Sequence, residues 1–352
     1  MNVKKLFRDD LKTFESYNAK RIDSRIKLHA NESPFSVSDE LLSEIKEEIV
    51  KCSFNRYPDA MSEDLCKKFA EYAGVDYKSV IAGNGSDELI QIIVSTFLDR
   101  NDKILLLNPE FSMYENYAAI SSANIVKFDT DEEFTFDPQV IIDKVNSEGI
   151  KLFFISNPNN PTGKAYDRNT ILKLVKNCNS IVVVDEAYGA FYGESVIKDI
   201  DDYENLIVLK TCSKIGGASI RLGFLTAGKV ILDEIKKVKP PYNVSTTTEI
   251  IGKVLLSNKS EIEEKVKYII SERERVYGEF LKIPYIEKVY KSSANFILFK
   301  TKRAHEIYEK LLEDGVLVRD FGSGVLKDCL RITIGKEEEN NYMLELLKKY
   351  NG

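Results

Sequence analysis

Leu209-Lys210-Thr211-Cys212-Ser213-Lys214, followed by Gly216, Gly217 and Arg221, is the stretch on which the reading of this chain turns. It sets a lysine one residue after a serine, behind an apolar run and ahead of a small-residue turn and an arginine. A lysine so placed can form a Schiff base with an aldehyde cofactor. The serine hydroxyl and the guanidinium can hold that cofactor's phosphate. Ser-Lys pairs are common, however, and most lysines are solvated surface groups. The segment gains weight from three others upstream: Gly83-Asn84-Gly85-Ser86-Asp87-Glu88, Asn157-Pro158-Asn159-Asn160-Pro161-Thr162-Gly163 and Val184-Asp185-Glu186-Ala187-Tyr188.

These segments punctuate an alternating pattern. Strands are expected at 79–82, 103–107, 125–128, 152–155, 181–184, 206–209 and 222–227. Amphipathic or apolar helices are expected at 38–51, 62–73, from 86, at 114–121, 138–146 and 169–177. Short, continuously apolar strands separated by helices indicate a largely parallel sheet covered on both faces. In such a sheet ligands sit beyond the carboxyl ends of the strands. Each of the segments above lies just after a strand, so all can converge on one crevice. After residue 245 the pattern changes to a long charged helix over about 246–282. Short strands at 295–299, 316–318 and 330–333, a helix near 304–313 and a terminal helix complete a smaller α+β lobe. Residues 1–30 are polar with little periodicity and read as an arm lying on something else. The expected organisation is an arm at 1–35 associated with the small domain, a large domain at 36–245 and a small domain at 246–352.

Composition narrows the function classes. The 352 residues suffice for a large core, with 43% hydrophobic and 30% charged. A net charge of −6 provides no general attraction to nucleic acid or anionic membranes. The five cysteines are scattered without a CxxC pair, and the only histidines are His29 and His305. That argues against a structural metal site or a disulfide framework and fits a reducing compartment. The opening Met-Asn-Val-Lys-Lys-Leu-Phe-Arg lacks the apolar core of a signal peptide, and no apolar run is long enough to span a bilayer. A cytoplasmic protein is the expectation.

Each motif admits a chemical and a plainer reading. Gly83 and Gly85 allow a tight turn, and N–H groups at a helix start with the Ser86 hydroxyl suit a phosphate. Equally, Ser86 or Asp87 can simply cap that helix. Asp185 follows a run of valines and should be deeply placed, where a carboxylate is costly unless paired. A protonated pyridine nitrogen would meet that cost; so would an arginine, or the carboxylate could cap the next helix. Tyr188 can donate to a phenolate oxygen or pack in a core. Asn160 can donate to the same oxygen or serve the turn.

Taken together, Gly-Asn-Gly-Ser-Asp-Glu, Asn-Pro-Asn-Asn-Pro-Thr-Gly, Asp-Glu-Ala-Tyr and Ser-Lys, in this order, resemble the fold-type-I pyridoxal-phosphate aminotransferases. Leu28-His29-Ala30-Asn31-Glu32-Ser33-Pro34 looks like that group's Leu-x-x-Asn-Glu-x-Pro opening. Arg56-Tyr57-Pro58-Asp59, Gly315 to Asp320 and Leu330 to Gly335 look like the histidinol-phosphate aminotransferases. The resemblance runs over about residues 10–350 and implies the aspartate-aminotransferase-like α/β fold, a large cofactor domain with a smaller α+β domain.

It also implies roles. Lys214 would be the Schiff-base lysine and proton shuttle. Asp185 would hold the pyridinium nitrogen protonated, keeping the ring an electron sink. Asn160 and Tyr188 would bind the phenolic oxygen. Phe111 stands where a ring-stacking tyrosine is usual. Gly85, Ser86, Asp87, Ser213 and Arg221 would surround the phosphate. Tyr57 would reach it from a neighbouring subunit, so a homodimer is implied. Arg331 would bind glutamate's carboxylate and, in turn, the phosphate of histidinol phosphate, with Arg319 as a second anion-binding arginine. Asn31 would lie in the arm closing over the substrate. For either arginine alone a surface ion pair is the plainer reading.

The chain also departs from the pattern. Lys214 and Arg221 are seven residues apart where eight is usual, and Phe14, with Tyr17 nearby, stands where a substrate-phosphate tyrosine is common. The implied reaction exchanges the amino group between histidinol phosphate and 2-oxoglutarate. The alternatives on the same fold are a threonine-phosphate decarboxylase-like enzyme or an aminotransferase for aromatic or other amino acids. A non-enzymatic cofactor-binding protein would have lost Lys214 or gained a DNA-binding domain, and this chain has done neither.

Overall fold

In the computed structural model, residues 3–8 and 22–350 are described; Phe14 and Tyr17 lie outside them. The chain begins its regular structure with β1 (Ile26–Lys27), α1 (Asp39–Ile49) and α2 (Glu63–Ala73). Ser38 caps α1 by accepting from the Leu41 N–H at 3.3 Å, as a Ser-x-x start favours.

Alternation follows. β2 (Val80–Gly83), α3 (Gly85–Phe97), β3 (Lys103–Asn108), α4 (Ser112–Ile120), β4 (Asn124–Asp129) and α5 (Pro138–Glu148) lead to β5 (Ile150–Ser156). Then come α6 (Arg168–Asn177), β6 (Ile181–Asp185), β7 (Leu206–Thr211), β8 (Gly223–Ala227) and α7 (Lys229–Val238). The strands form one sheet in the order β2-β8-β7-β6-β5-β3-β4. Neighbours pair in parallel except at β8, which runs antiparallel to both β2 and β7.

The continuous apolar runs have a simple cause. Side chains alternate between faces along a strand. Leu105, Phe153, Ile155, Val182, Val184 and Val208 enter a core with α2, α5 and α6. Ile104, Leu106, Leu152, Phe154, Val183 and Ile207 enter the opposite core with α3, α4 and α7. Both faces are covered, so neither set can be polar.

The C-terminal part contains α8 (Thr246–Ser257), α9 (Lys259–Phe280), β9 (Lys288–Val289), β10 (Phe296–Lys300) and α10 (Ala304–Glu313). β11 (Val316–Leu317), β12 (Arg319–Asp320), β13 (Cys329–Thr333) and α11 (Glu337–Lys349) complete it. An antiparallel sheet, β12-β13-β10-β9, packs its apolar side under α9, α10 and α11.

Two expectations change. The helix expected over 246–282 is two helices. Asn258 breaks it, its amide donating back to the Val254 carbonyl at 2.8 Å and so replacing the next turn's backbone donor. The strand expected at 316–318 is shorter, Val316–Leu317, which pairs with β1; Arg319–Asp320, just beyond it, forms a separate strand in the other sheet. The arm, polar in sequence, adds β1 to its own chain, with Leu28 donating to the Leu317 carbonyl at 2.7 Å.

Candidate active site

The parallel strands end together, and the motif residues leave them there. Gly83 closes β2, Asp185 closes β6, and the turn with Lys214 follows β7. Phe111 follows β3, and Asn160 follows β5.

At the start of α3, Gly85 takes a left-handed φ of +83°, and a Cβ there would lie 2.8 Å from Nη2 of Arg221. A Cβ on Gly223 would lie 2.6 Å from the Ser86 nitrogen. These glycines are required by close approach. Arg221 reaches this corner despite the short spacing from Lys214. Gly216 turns the chain at φ +107°, and Arg221 itself sits at φ +50°. Its guanidinium ion-pairs with Asp87 at 3.0 Å and meets the Ser213 hydroxyl at 3.5 Å. Ser213 is fixed in turn by Thr211, whose hydroxyl lies 3.0 Å away. One corner therefore gathers a helix N-terminus, two hydroxyls and a guanidinium, a set suited to a phosphate.

Asp185 is 4% exposed. Its carboxylate accepts from the Tyr114 hydroxyl at 2.8 Å and the Ala187 N–H at 2.9 Å. Burial pushes its pKa up to about 6, against the lowering effect of those donors. Among the described residues no arginine or lysine pairs with it, so the arginine reading is set aside. Tyr114 was not singled out in the sequence. It lies one helical turn after Phe111, fully buried, stacked on Phe154 and edge-on to Phe111. A tyrosine on the buried face of a helix, one turn from a ring-binding position, is the signal that could have found it.

Lys214 places its Nζ 5.6 Å from the Tyr188 ring centroid and 3.3 Å from the Ala30 carbonyl oxygen. Tyr188 is buried and edge-on to Phe296, yet its hydroxyl accepts from Asn31 Nδ2 at 2.9 Å. Asn31, 1% exposed, also bonds Thr333 through its backbone N–H at 3.0 Å and its Oδ1 at 3.2 Å. The arm is thus tied both to the small sheet and to the loop after β6. Asn160 accepts through Oδ1 from Nη1 of Arg331, whose Nη2 donates to the His29 carbonyl at 2.9 Å. Arg319 and Arg331 are direct cross-strand partners, so their side chains leave the same face. Arg331 is buried and lies over the Phe296 ring at 5.0 Å; Arg319 is exposed and lies over Phe321 at 5.7 Å. Tyr57 is 83% exposed and stacks on Tyr242 with centroids 4.9 Å apart.

Comparison with known proteins meets this geometry. The family model for "Aminotransferase class I and II" matches residues 23–347. The chain belongs to that aminotransferase family. A histidinol-phosphate aminotransferase of Clostridium novyi is 44% identical over 350 residues, covering 99% of this chain and 98% of that one. The crystal structure of the Clostridium acetobutylicum histidinol-phosphate aminotransferase superposes with a TM-score of 0.85 at 27% identity, over 93% of this chain and 99% of that one. The Sinorhizobium meliloti histidinol-phosphate aminotransferase, solved in complex with pyridoxal-5'-phosphate, shares the fold at a TM-score of 0.86 and 20% identity, over 94% and 91%.

The cofactor of this aminotransferase is pyridoxal 5'-phosphate, and its residues fit it. The glycine-lined corner with Arg221, Ser213 and Ser86 suits the phosphate. The enclosed Asp185 carboxylate, without a protein cation, suits a pyridinium nitrogen. Lys214 stands between the Tyr188 ring and the arm, on the same side as both. Among the described residues no cluster of histidine, cysteine or acidic side chains could hold a metal ion, and no helix is long and apolar enough to cross a membrane. All five cysteines are free.

Proposed function

We propose that this aminotransferase exchanges an amino group between L-histidinol phosphate and 2-oxoglutarate, giving imidazole-acetol phosphate and L-glutamate. The observation that carries the substrate class is the Arg319–Arg331 register pair on one face of the small sheet. Two guanidinium groups there suit a phosphate monoester in one half-reaction and a second carboxylate in the other. The name carried by the 44%-identical relative supports the same reading.

Bound pyridoxal phosphate supplies an electron sink for the bond broken at the substrate's α-carbon. This chain does the rest. Asp185 keeps a positive charge opposite it. Tyr188 and Asn160 would donate to the phenolic oxygen, with Asn31 holding the Tyr188 hydroxyl and Arg331 holding Asn160. Lys214, as a free amine, would take the substrate's α-proton on its Nζ and hold it for return. Ser86, Ser213 and Arg221 would anchor the phosphate, and Phe111 would lie against the ring. Asp87 orients Arg221 through their ion pair.

Tyr57 projects from the surface, with Phe54 nearly as bare and Tyr242 about half-exposed. We take this patch as the contact of a cytoplasmic homodimer in which Tyr57 reaches the partner's phosphate corner. Residues 36–245 form the cofactor-binding unit in this reading, and 246–352 the smaller one with the arm of 1–35 laid on it.

The test is to add amino donors singly to the holoenzyme and follow bleaching of its visible band. Histidinol phosphate and glutamate are expected to bleach it rapidly, phenylalanine and tyrosine slowly. Release of carbon dioxide from threonine phosphate, without bleaching by histidinol phosphate, overturns the proposal in favour of a decarboxylase.

A further inference from the structure

Glu110 lies between β3 and α4, a half-buried residue whose carboxyl end is enclosed. Its Oε1 accepts from the Phe111 N–H at 3.0 Å, from Asn159 Nδ2 at 2.9 Å and from the Ser156 hydroxyl. Its Oε2 accepts from the Ser156 N–H at 3.2 Å. The Ser156 hydroxyl oxygen then accepts from the Asn160 N–H at 3.2 Å. Asn159 turns its other end to the loop, with Oδ1 accepting from the Thr162 N–H at 3.1 Å and the Thr162 hydroxyl at 2.7 Å. One carboxylate therefore joins the start of α4 to the turn after β5. Those two segments carry Phe111 and Asn160.

The residue type follows from the donors. Four N–H and O–H groups converge on two oxygens, which only an acceptor-only group can serve. A glutamine would turn an NH2 toward one of those donors. No lysine or arginine pairs with Glu110 among the described residues, and an enclosed carboxylate without a cation is costly. Burial pushes its carboxyl up to about 8 despite those donors, so the acceptor-only form is the ionised one that prevails above that pH. A plain turn would not need such a group.

We propose that Glu110 is a positioning residue, which by gathering Phe111, Ser156 and Asn159 sets the Phe111 ring and the Asn160 amide against the cofactor. This rests on the placement of pyridoxal phosphate given above. Glu110 touches neither substrate nor cofactor; it acts through the two segments it joins.

The test compares Glu110→Gln, Asn160→Ala, the double variant and Ser156→Ala. Pyridoxal phosphate affinity of each apoprotein is measured by equilibrium dialysis, the pH midpoint of the visible band is titrated in each holoenzyme, and thermal melts report folding. Losing the Asn160 donor raises the midpoint, because the phenolic oxygen's negative charge loses a partner. Glu110→Gln is expected to raise it in the same direction by about half a unit and to weaken cofactor binding about fivefold, the worth of one hydrogen bond. In the pH midpoint the double variant is expected to match Asn160→Ala alone, since that effect runs through one contact, while cofactor affinity falls further through Phe111.

Unchanged midpoint and affinity in a folded Glu110→Gln overturn the proposal, and so does full additivity of the midpoint shifts in the double variant. Should Glu110→Gln fail to fold, Ser156→Ala cuts the same chain one link later, and an unmoved midpoint there is equally decisive. A wild-type protein that neither binds the cofactor nor shows the band would instead overturn the placement of pyridoxal phosphate.

Discussion

The Tyr114 hydroxyl donates to the Asp185 carboxylate across 2.8 Å, from a helix on one side of the sheet to a strand end at its centre. Tyr114 is fully enclosed, and Asp185 has no other side-chain donor among the described residues. The bond favours the charged form of a carboxylate that burial disfavours. Tyr114→Phe removes it without opening a cavity. The Asp185 pKa should rise further, and kcat should fall several-fold, about the 1 kcal/mol of one hydrogen bond. An unchanged kcat–pH profile in Tyr114→Phe would count against this coupling.

Asp185 also sets a pH dependence for the apoprotein. Its pKa is raised from 3.8 to about 6 in the fold. Below about pH 4 the carboxyl is protonated in both states. Between there and pH 6 only the unfolded chain ionises, so this group's contribution to stability falls as pH rises. Above pH 6 the cost is constant at about 3 kcal/mol, from roughly two units at 1.36 kcal/mol each. Asp185→Asn should therefore be more stable than wild type as apoprotein at pH 8, with the gap closing toward pH 4. Urea unfolding at both pH values measures it. The same substitution should cost the holoenzyme about 10²–10³ in kcat, the usual effect of deleting one preorganised charge partner.

Lys214→Ala removes both the covalent anchor and the proton shuttle. Turnover should drop by at least about 10⁴-fold, the upper range for a positioned acid–base group, and the visible band should move to that of unlinked cofactor. A retained rate would show that Lys214 is neither the anchor nor the proton shuttle.

Arg331 and Arg319 should separate. Arg331 is buried, holds Asn160 and the His29 carbonyl, and faces the site. Arg331→Ala should raise KM for glutamate and for histidinol phosphate about 10²-fold, in keeping with 2–3 kcal/mol for a charged hydrogen-bonding group. The same variant should lower kcat through Asn160. Arg319, exposed, should affect KM alone and by less, of the order of a surface ion pair. Steady-state kinetics with each substrate reads both; equal losses would mean that the two arginines act as one clamp.

Much of the site was legible because its elements are local. Gly83 to Ser86, Asn157 to Gly163 and Asp185 to Tyr188 each encode a strand end and a turn within a few residues. The short Lys214–Arg221 spacing was also visible, but its outcome was not. Whether Arg221 reaches the phosphate corner depends on a left-handed Arg221 and on its approach to Gly85, 136 residues away in sequence (221 − 85). Helix ends were legible where a side chain capped them, as at Ser38; the break at Asn258 depended on a back-bond that periodicity does not report.

The sequence by itself determined the α/β class, the strand ends at which the motif residues stand and, through the resemblance those motifs carry, the cofactor, since each motif is a short run of residues along a single strand and turn. The tertiary structure alone decided which of them lean on one another. Asn31 meets Tyr188 across 157 positions, Tyr114 meets Asp185 across 71, and Glu110 meets Ser156 across 46. Such pairs are set by the order of strands in the sheet and by what burial forces each polar group to find. Neither is written in the period of a single helix or strand.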